Sequence, residues 1–377
     1  MRECLSLIIL LAHAGHAVAS ASLPVQQATP TAHHLYVATT GADTNPGSQL
    51  APFRTIQHAA DTALPSTTVH VAPGIYPENI NTKRAGSAPA RIRYLSDKKW
   101  GAQLIGSGTE ATWTNAGDYT DIVDFDISGS GRLGILNYAS HTRMVGNHVH
   151  HLMVSGGCTG SGGAGINNAN FNSSDDDIEG NVVHDIGVPG KCSGVQGIYS
   201  SNLRGSISNN IVYRVSAWGI HLWHAANQVL ISNNTIFANG SATMGGGIIM
   251  GTGDSPGSPV LSNTSVINNI VYKNPAASIV QFCYPGQQCI GKGNCIANNL
   301  VFANGGPIAL RNGAALNTIE ADPQFVDYQE NGKGNYHLRK TSPAIKQGRP
   351  VLAPATDIDH MTRPRHMAPD IGAYETH

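Results

Sequence analysis

Charge is what this chain has least of. Of its 377 residues, 12% are Asp, Glu, Lys or Arg, about half the roughly 25% of an average soluble domain. The formal net charge is −1. So neutral a chain offers no broad basic field for nucleic acid or anionic lipid. No block of like charges marks a disordered tail. Aromatic residues are also few, at 6%. Beyond the extreme N-terminus, no apolar run is long enough to span a bilayer. The six cysteines include no C-x-x-C pair to suggest zinc. Glycine (43) and asparagine (30) are abundant, in a chain that is 41% apolar. That apolar content, evenly spread, argues against disorder. Gly and Asn between runs rich in Val and Ile predict a large all-β protein with many tight turns.

Residues 1–21 read as a secretion signal. Arg2 precedes an apolar stretch at 5–12, and Ala17-Val18-Ala19 or Ala19-Ser20-Ala21 fits a cleavage site. The mature chain is then expected to be secreted or periplasmic, in some settings at the cell surface, with no membrane span. Five cysteines remain: Cys158, Cys192, Cys283, Cys289 and Cys295. Disulfides suit an exported protein, and the odd number leaves one thiol over. Cys283 and Cys289 flank the turn Tyr284-Pro285-Gly286, which can bring them together.

A repeat organises the middle of the chain. Asn followed by Val or Ile recurs in Gly146-Asn147-His148-Val149, Gly180-Asn181-Val182-Val183, Asn209-Asn210-Ile211-Val212 and Asn233-Asn234-Thr235-Ile236. Asn268-Asn269-Ile270-Val271 and Asn298-Asn299-Leu300-Val301 continue it. A second phrase alternates with the first: Gly134-Ile135, Gly165-Ile166, Gly197-Ile198, Gly219-Ile220 and Gly247-Ile248. Short β segments of this kind bury an apolar face only when stacked. Asn tolerates the left-handed bend at each corner, and stacked Asn side chains can hydrogen-bond along a ladder.

These repeats resemble the right-handed parallel β-helix of the pectate-lyase-like superfamily. The first segment strengthens the likeness. A strand at 35–41 and the turn Asn45-Pro46-Gly47 lead to a helix opened by Pro52, with Phe53, Ile56, Ala59, Ala60 and Ala63 on one face. This resembles the entry of many secreted bacterial β-helix proteins, in which the helix plugs the open core. Ala321-Asp322-Pro323, Thr341-Ser342-Pro343 and Asp370-Ile371-Gly372-Ala373-Tyr374-Glu375 resemble the C-terminal module of such proteins. The expected organisation is an N-terminal cap and first coils over 32–100, β-helix coils over 101–320 and a C-terminal capping segment over 321–377. The resemblance implies action on a polysaccharide; the superfamily holds lyases, hydrolases, epimerases and adhesive proteins.

Aligning the coils predicts which side chains meet. With the Ile of each Gly-Ile phrase inward, the next residue points out. Leu136, Asn167, Tyr199, His221, Ile249 and Val280 then form one outward column. Two residues on, a second reads Tyr138, Ala169, Ser201, Trp223, Gly251 and Phe282, with Arg311 above. Such a column suits β-elimination from a uronate polymer, the expected reaction with an acidic polysaccharide as partner. That chemistry needs charge neutralised at the carboxylate, a base at the α-carbon and an acid at the leaving oxygen. Asn167, with His221 or an arginine, can hold the carboxylate. Tyr199 can move the proton if a cation such as Arg204 lowers its pKa. His221 is the other candidate base, and His224 follows at the strand end. Trp223 and Tyr138 offer flat surfaces to sugar rings, with Arg311 as a further contact. A glycoside hydrolase or uronate epimerase, or a glycan-binding protein without catalysis, are the alternatives. The chain is expected to act as a monomer.

Three other groups attract attention. Asp175, Asp176 and Asp177 on a turn can bind calcium, with Lys191 as base or substrate contact. No cofactor is otherwise required. Asp124 and Asp126 alternate on one strand, as paired acids for hydrolysis would. His148, His150 and His151, with His184 one coil on, suggest a metal cluster, but strand alternation separates His150 from His151. A structural His ladder is the expectation.

Overall fold

A computed structural model describes residues 32–152, 162–252 and 259–376. The expected signal and Cys158 lie outside these residues. The described chain coils into three parallel sheets of ten, eight and nine strands, plus one antiparallel pair formed by Phe325–Asp327 and Asn335–Leu338. Each strand pairs with its counterpart one coil away, as a right-handed parallel β-helix requires. No helix among the described residues is long and apolar enough to cross a membrane.

The sequence periods explain the coil. Ile135, Ile166, Ile198, Ile220, Ile248 and Ile279 are in register on the eight-stranded sheet, and all are fully buried. Val149, Val183, Val212, Ile236 and Val271 face them from the nine-stranded sheet and are equally buried. The Gly of each Gly-Ile phrase marks where these walls meet. A Cβ on Gly197 would overlap the Val212 side chain and come within 2.6 Å of the Gly219 carbonyl oxygen.

The Asn-Asn corners divide their labour. The first Asn takes the left-handed bend: Asn209, Asn233, Asn268 and Asn298 have φ between 52° and 57°. The second points inward. Asn147, Asn181, Asn210, Asn234, Asn269 and Asn299 form an unbroken ladder, each Nδ2 donating to the next Oδ1 at 2.9–3.1 Å. Buried backbone groups that strand pairing leaves free at a corner are satisfied in this way.

The N-terminal helix runs over Ile56–Thr62, with Thr55 as N-cap. It starts later than Pro52 because Phe53 forms a parallel bridge to Val37. Its buried face (Ile56, Ala59, Ala60, then Ala63) is the expected one. The C-terminal segment lies along the flank of the coils. Phe325, Tyr336, Ile358 and Ile371 pack on Tyr213, Phe237 and Tyr272 of the nine-stranded sheet. Buried Arg363 pairs with Glu375 at 2.7 Å and donates to Asn209 Oδ1 at 3.1 Å. The outward Asn of each corner is thus its docking point: Asn233 binds the Asp370 carbonyl and Asn268 that of Arg349.

Candidate active site

The eight-stranded sheet carries the expected outward column in the expected register. Asn167 on the strand Gly163–Asn168 pairs with Tyr199 on Val195–Ser200, and Tyr199 with His221 on Trp218–Leu222. Leu136 and Ile249 flank the trio. Adjacent rungs are about 4.8 Å apart, so the three side chains are neighbours. The Tyr199 and His221 rings meet edge to face, centroids 5.1 Å apart. His221 meets Trp223 at 5.4 Å, and His224 lies 6.3 Å from Tyr199.

Three buried polar atoms here have no hydrogen-bond partner among the described residues: Nδ1 and Nε2 of His221 and Oδ1 of Asn167. An unmet buried polar group costs about 1–3 kcal/mol. Several on the two rungs either side of Tyr199 mark a surface built for a ligand or ordered water. Burial, with the charge of nearby His224, pushes the His221 pKa down to about 3. His221 is therefore neutral at working pH. It cannot supply the positive charge expected for a carboxylate, and as a free base it is weak.

Arg204 does not approach Tyr199. It lies on the ten-stranded sheet, in the strand Leu203–Ser208, and forms a two-pronged ion pair with Asp175 at 2.8 Å on both arms. That hydrogen bond raises the Arg204 pKa and helps hold Asp175 below its usual range. The three aspartates sit on the strand Ser174–Glu179 and do not converge. Asp176 points inward, accepting from Thr142 N and Asn202 Nδ2 at 2.8 and 2.9 Å, and burial raises its pKa to about 7. Asp177 accepts from Ser206 at 2.6 Å.

Tyr138 is exposed, as a sugar platform requires, whereas Trp223 is 7% exposed. Its ring lies over Gly251, beside Phe282 and Tyr284. Lys191 and Arg311 are both exposed. Arg311 stands beside Phe282, above Trp223 in its column, because Ala309 bridges Val280. It lines a hollow of about 610 Å³ with the loop that Cys283 and Cys289 close by a disulfide. No described cysteine carries a free thiol.

Two residues were not singled out from the sequence. Phe171, half exposed, packs on His224 with centroids 4.4 Å apart. It lies in a turn, where no period places it. Gln281 is inward, its Oε1 accepting from the Arg311 and Asn312 amides and its Nε2 buried without a partner. Its signal was a long polar side chain in the inward column after Leu222 and Met250.

The histidines form a cluster on the nine-stranded sheet. His150 and His184 pair across adjacent strands. A bulge follows His150, and His151 takes φ 49°. Alternation therefore fails there, and His150 Nδ1 and His151 Nδ1 come within 2.7 Å. Asp126 is engaged by His148 and His150 at 2.8 and 3.1 Å, which outweighs its burial and holds its pKa well below the usual carboxylate range. Asp124 stands at the preceding corner with φ 62°, its pKa raised by burial.

Comparisons agree with this fold. A pectate lyase, Pel9A, is similar over 93% of this chain and 98% of its own, with TM-score 0.55 and 16% identity. A rhamnogalacturonan lyase is similar over 82% of this chain and 95% of its own, with TM-score 0.52 and 15% identity. Both likenesses are of fold: the chain shares with these proteins a parallel β-helix. Within it, residues 39–85 match a family described as "Protein of unknown function (DUF1565)". An uncharacterized protein of Bacillus subtilis, YwoF, is 26% identical over 138 residues, 32% of this chain. The chain spans 30% of that relative's length.

Proposed function

We propose that this protein is a secreted polysaccharide lyase that cleaves a uronate-containing polymer by β-elimination at Asn167, Tyr199 and His221. The observation that carries the reading is the set of unpartnered buried atoms on the two rungs that flank Tyr199 on one outer face: both His221 nitrogens and Asn167 Oδ1. The naming of two fold neighbours as lyases supports the same direction.

Each residue has a part that its chemistry permits. Asn167 Nδ2 donates to the uronate carboxylate, while its Oδ1 accepts from a sugar hydroxyl. Neutral His221 donates its one ring N–H to the same carboxylate and accepts at the other nitrogen. Hydrogen bonds in a dry site thus do the work assigned above to a cation. In one concerted step the Tyr199 phenolic oxygen accepts the α-proton while its own O–H proton passes to the 4-linked oxygen. The C–H electrons form the new ring double bond and the bond to the 4-linked oxygen breaks, so Tyr199 ends as the neutral phenol it began as. Exposed Tyr138 and Phe171 border the trio as flat surfaces for neighbouring sugars.

A panel of uronate polymers incubated with the full-length protein tests this. A lyase creates an unsaturated uronate that absorbs in the ultraviolet. Reducing ends without that absorbance make the protein a hydrolase. Retention of polymer with neither signal makes it a glycan-binding protein.

A further inference from the structure

We propose that the histidine cluster on the nine-stranded sheet is a binding site for one divalent transition-metal ion of the zinc class, held by His148, His184 and His151. The argument rests on proton placement. A carboxylate in these pairs only accepts, so a ring nitrogen facing one carries the proton. His148 Nδ1 faces Asp126 Oδ2 at 2.8 Å, and His184 Nδ1 faces Asp185 Oδ2 at 2.6 Å. In the neutral rings both lone pairs are then on Nε2. Those two Nε2 atoms face each other at 2.7 Å. Neither ring can turn its proton to the other without losing its carboxylate. The contact needs a cation between the two rings.

The neighbours complete a metal site. His150 Nε2 faces Asp126 Oδ1 at 3.1 Å, which leaves its Nδ1 lone pair 2.7 Å from His151 Nδ1. His151 can donate there, which frees its Nε2. It also brings a donor atom within 4.8 Å of donors on His184 and Asp185. Asp185 is steadied in turn by Arg214 at 2.7 Å. Imidazole ligands whose remote N–H is fixed by a carboxylate are the usual supporting arrangement around a bound metal. Nitrogen donors select zinc or copper over calcium or magnesium. A tetrahedral zinc, with bonds of about 2.0–2.1 Å, sets its nitrogens about 3.3 Å apart, so the two rings part by roughly 0.6 Å. His148 and His150 are partly exposed, and His151 is exposed, which leaves an approach for the ion.

The test uses full-length protein without a polyhistidine tag, stripped with chelator and titrated with zinc by calorimetry. Cobalt absorption reports the ligand field. One equivalent of zinc per chain is expected, with a cobalt spectrum of tetrahedral nitrogen ligation. His148→Gln with His184→Gln should abolish it while circular dichroism stays native. Asp185→Asn, a milder change, should weaken affinity by about 10–100-fold. Wild type that takes up no zinc overturns the proposal and leaves a proton shared between the rings. Zinc uptake unchanged in Asp185→Asn and in the double variant overturns it equally, since the ion then sits elsewhere. No readout involves polysaccharide cleavage, so this result and that of the lyase assay are independent.

Discussion

Tyr199 and His221 stand on adjacent rungs of one parallel sheet, rings edge to face with centroids 5.1 Å apart. Tyr199 carries a phenol suited to proton transfer. The imidazole beside it is kept neutral by burial, with both nitrogens unsatisfied. That division of roles leads to the first expectation.

His221 should make the protein acid-labile. It titrates near 6.5 when unfolded and near 3 in the fold. Between those values the unfolded chain holds a proton that the fold refuses, so stability falls as pH drops below 6.5. Asp176 acts oppositely: raised from 3.8 to about 7, it contributes stability at low pH that is lost as pH rises through 7. Comparing wild type with His221→Gln isolates one group. Wild type should lose about 3 kcal/mol relative to the variant between pH 7 and pH 4. Parallel denaturant curves at the two pH values measure this, and a constant gap would contradict it.

Arg204→Gln should leave cleavage close to the wild-type rate, because its guanidinium is committed to Asp175 on a different sheet. Steady-state kinetics decide the point. A loss beyond roughly tenfold would return Arg204 to the reaction.

Gly251→Ala should disturb the packing of the buried Trp223 ring without touching the proton-transfer residues. The added Cβ would overlap the Trp223 ring and come within 2.6 Å of the Phe282 carbonyl oxygen. Overpacking of this kind costs about 1–3 kcal/mol. A lower Tm with altered tryptophan emission is expected; an unchanged Tm would mean that the ring swings clear.

Asn234→Ala should break the ladder at its centre. Asn234 donates to Ile207 O and Asn269 Oδ1 at 2.9 Å and accepts from Asn210 N and Nδ2 at 2.9 Å. Several buried groups lose partners at once, for a cost of at least about 2 kcal/mol. Chemical denaturation would show it, and a change under half that size would contradict the ladder's structural role.

Much of this was legible in the sequence, for a physical reason. A coil repeats, so one correct alignment of Gly-Ile phrases fixed the inward Ile column and placed Asn167, Tyr199 and His221 side by side. The left-handed bends at Asn209 and Asn233 followed from what Asn tolerates. What does not repeat was not legible. Arg204 is only five residues from Tyr199, but the chain turns a corner between them onto another sheet. Phe171 reaches His224 from a turn. His151 escapes strand alternation through a bulge that no periodic pattern signals. The C-terminal segment docks on the flank through contacts such as Arg363 with Asn209, more than 150 residues apart.

The central claim is proton transfer by Tyr199 in a β-elimination. It is tested most directly by the rate of ultraviolet absorbance on a cleaved uronate polymer, wild type against Tyr199→Phe. The variant removes one oxygen and keeps the ring packed on His221. A fall in kcat of about 10²–10⁴-fold, with KM and Tm near wild type, is the expected result. A Tyr199→Phe protein that generates the unsaturated product at the wild-type rate would contradict the account.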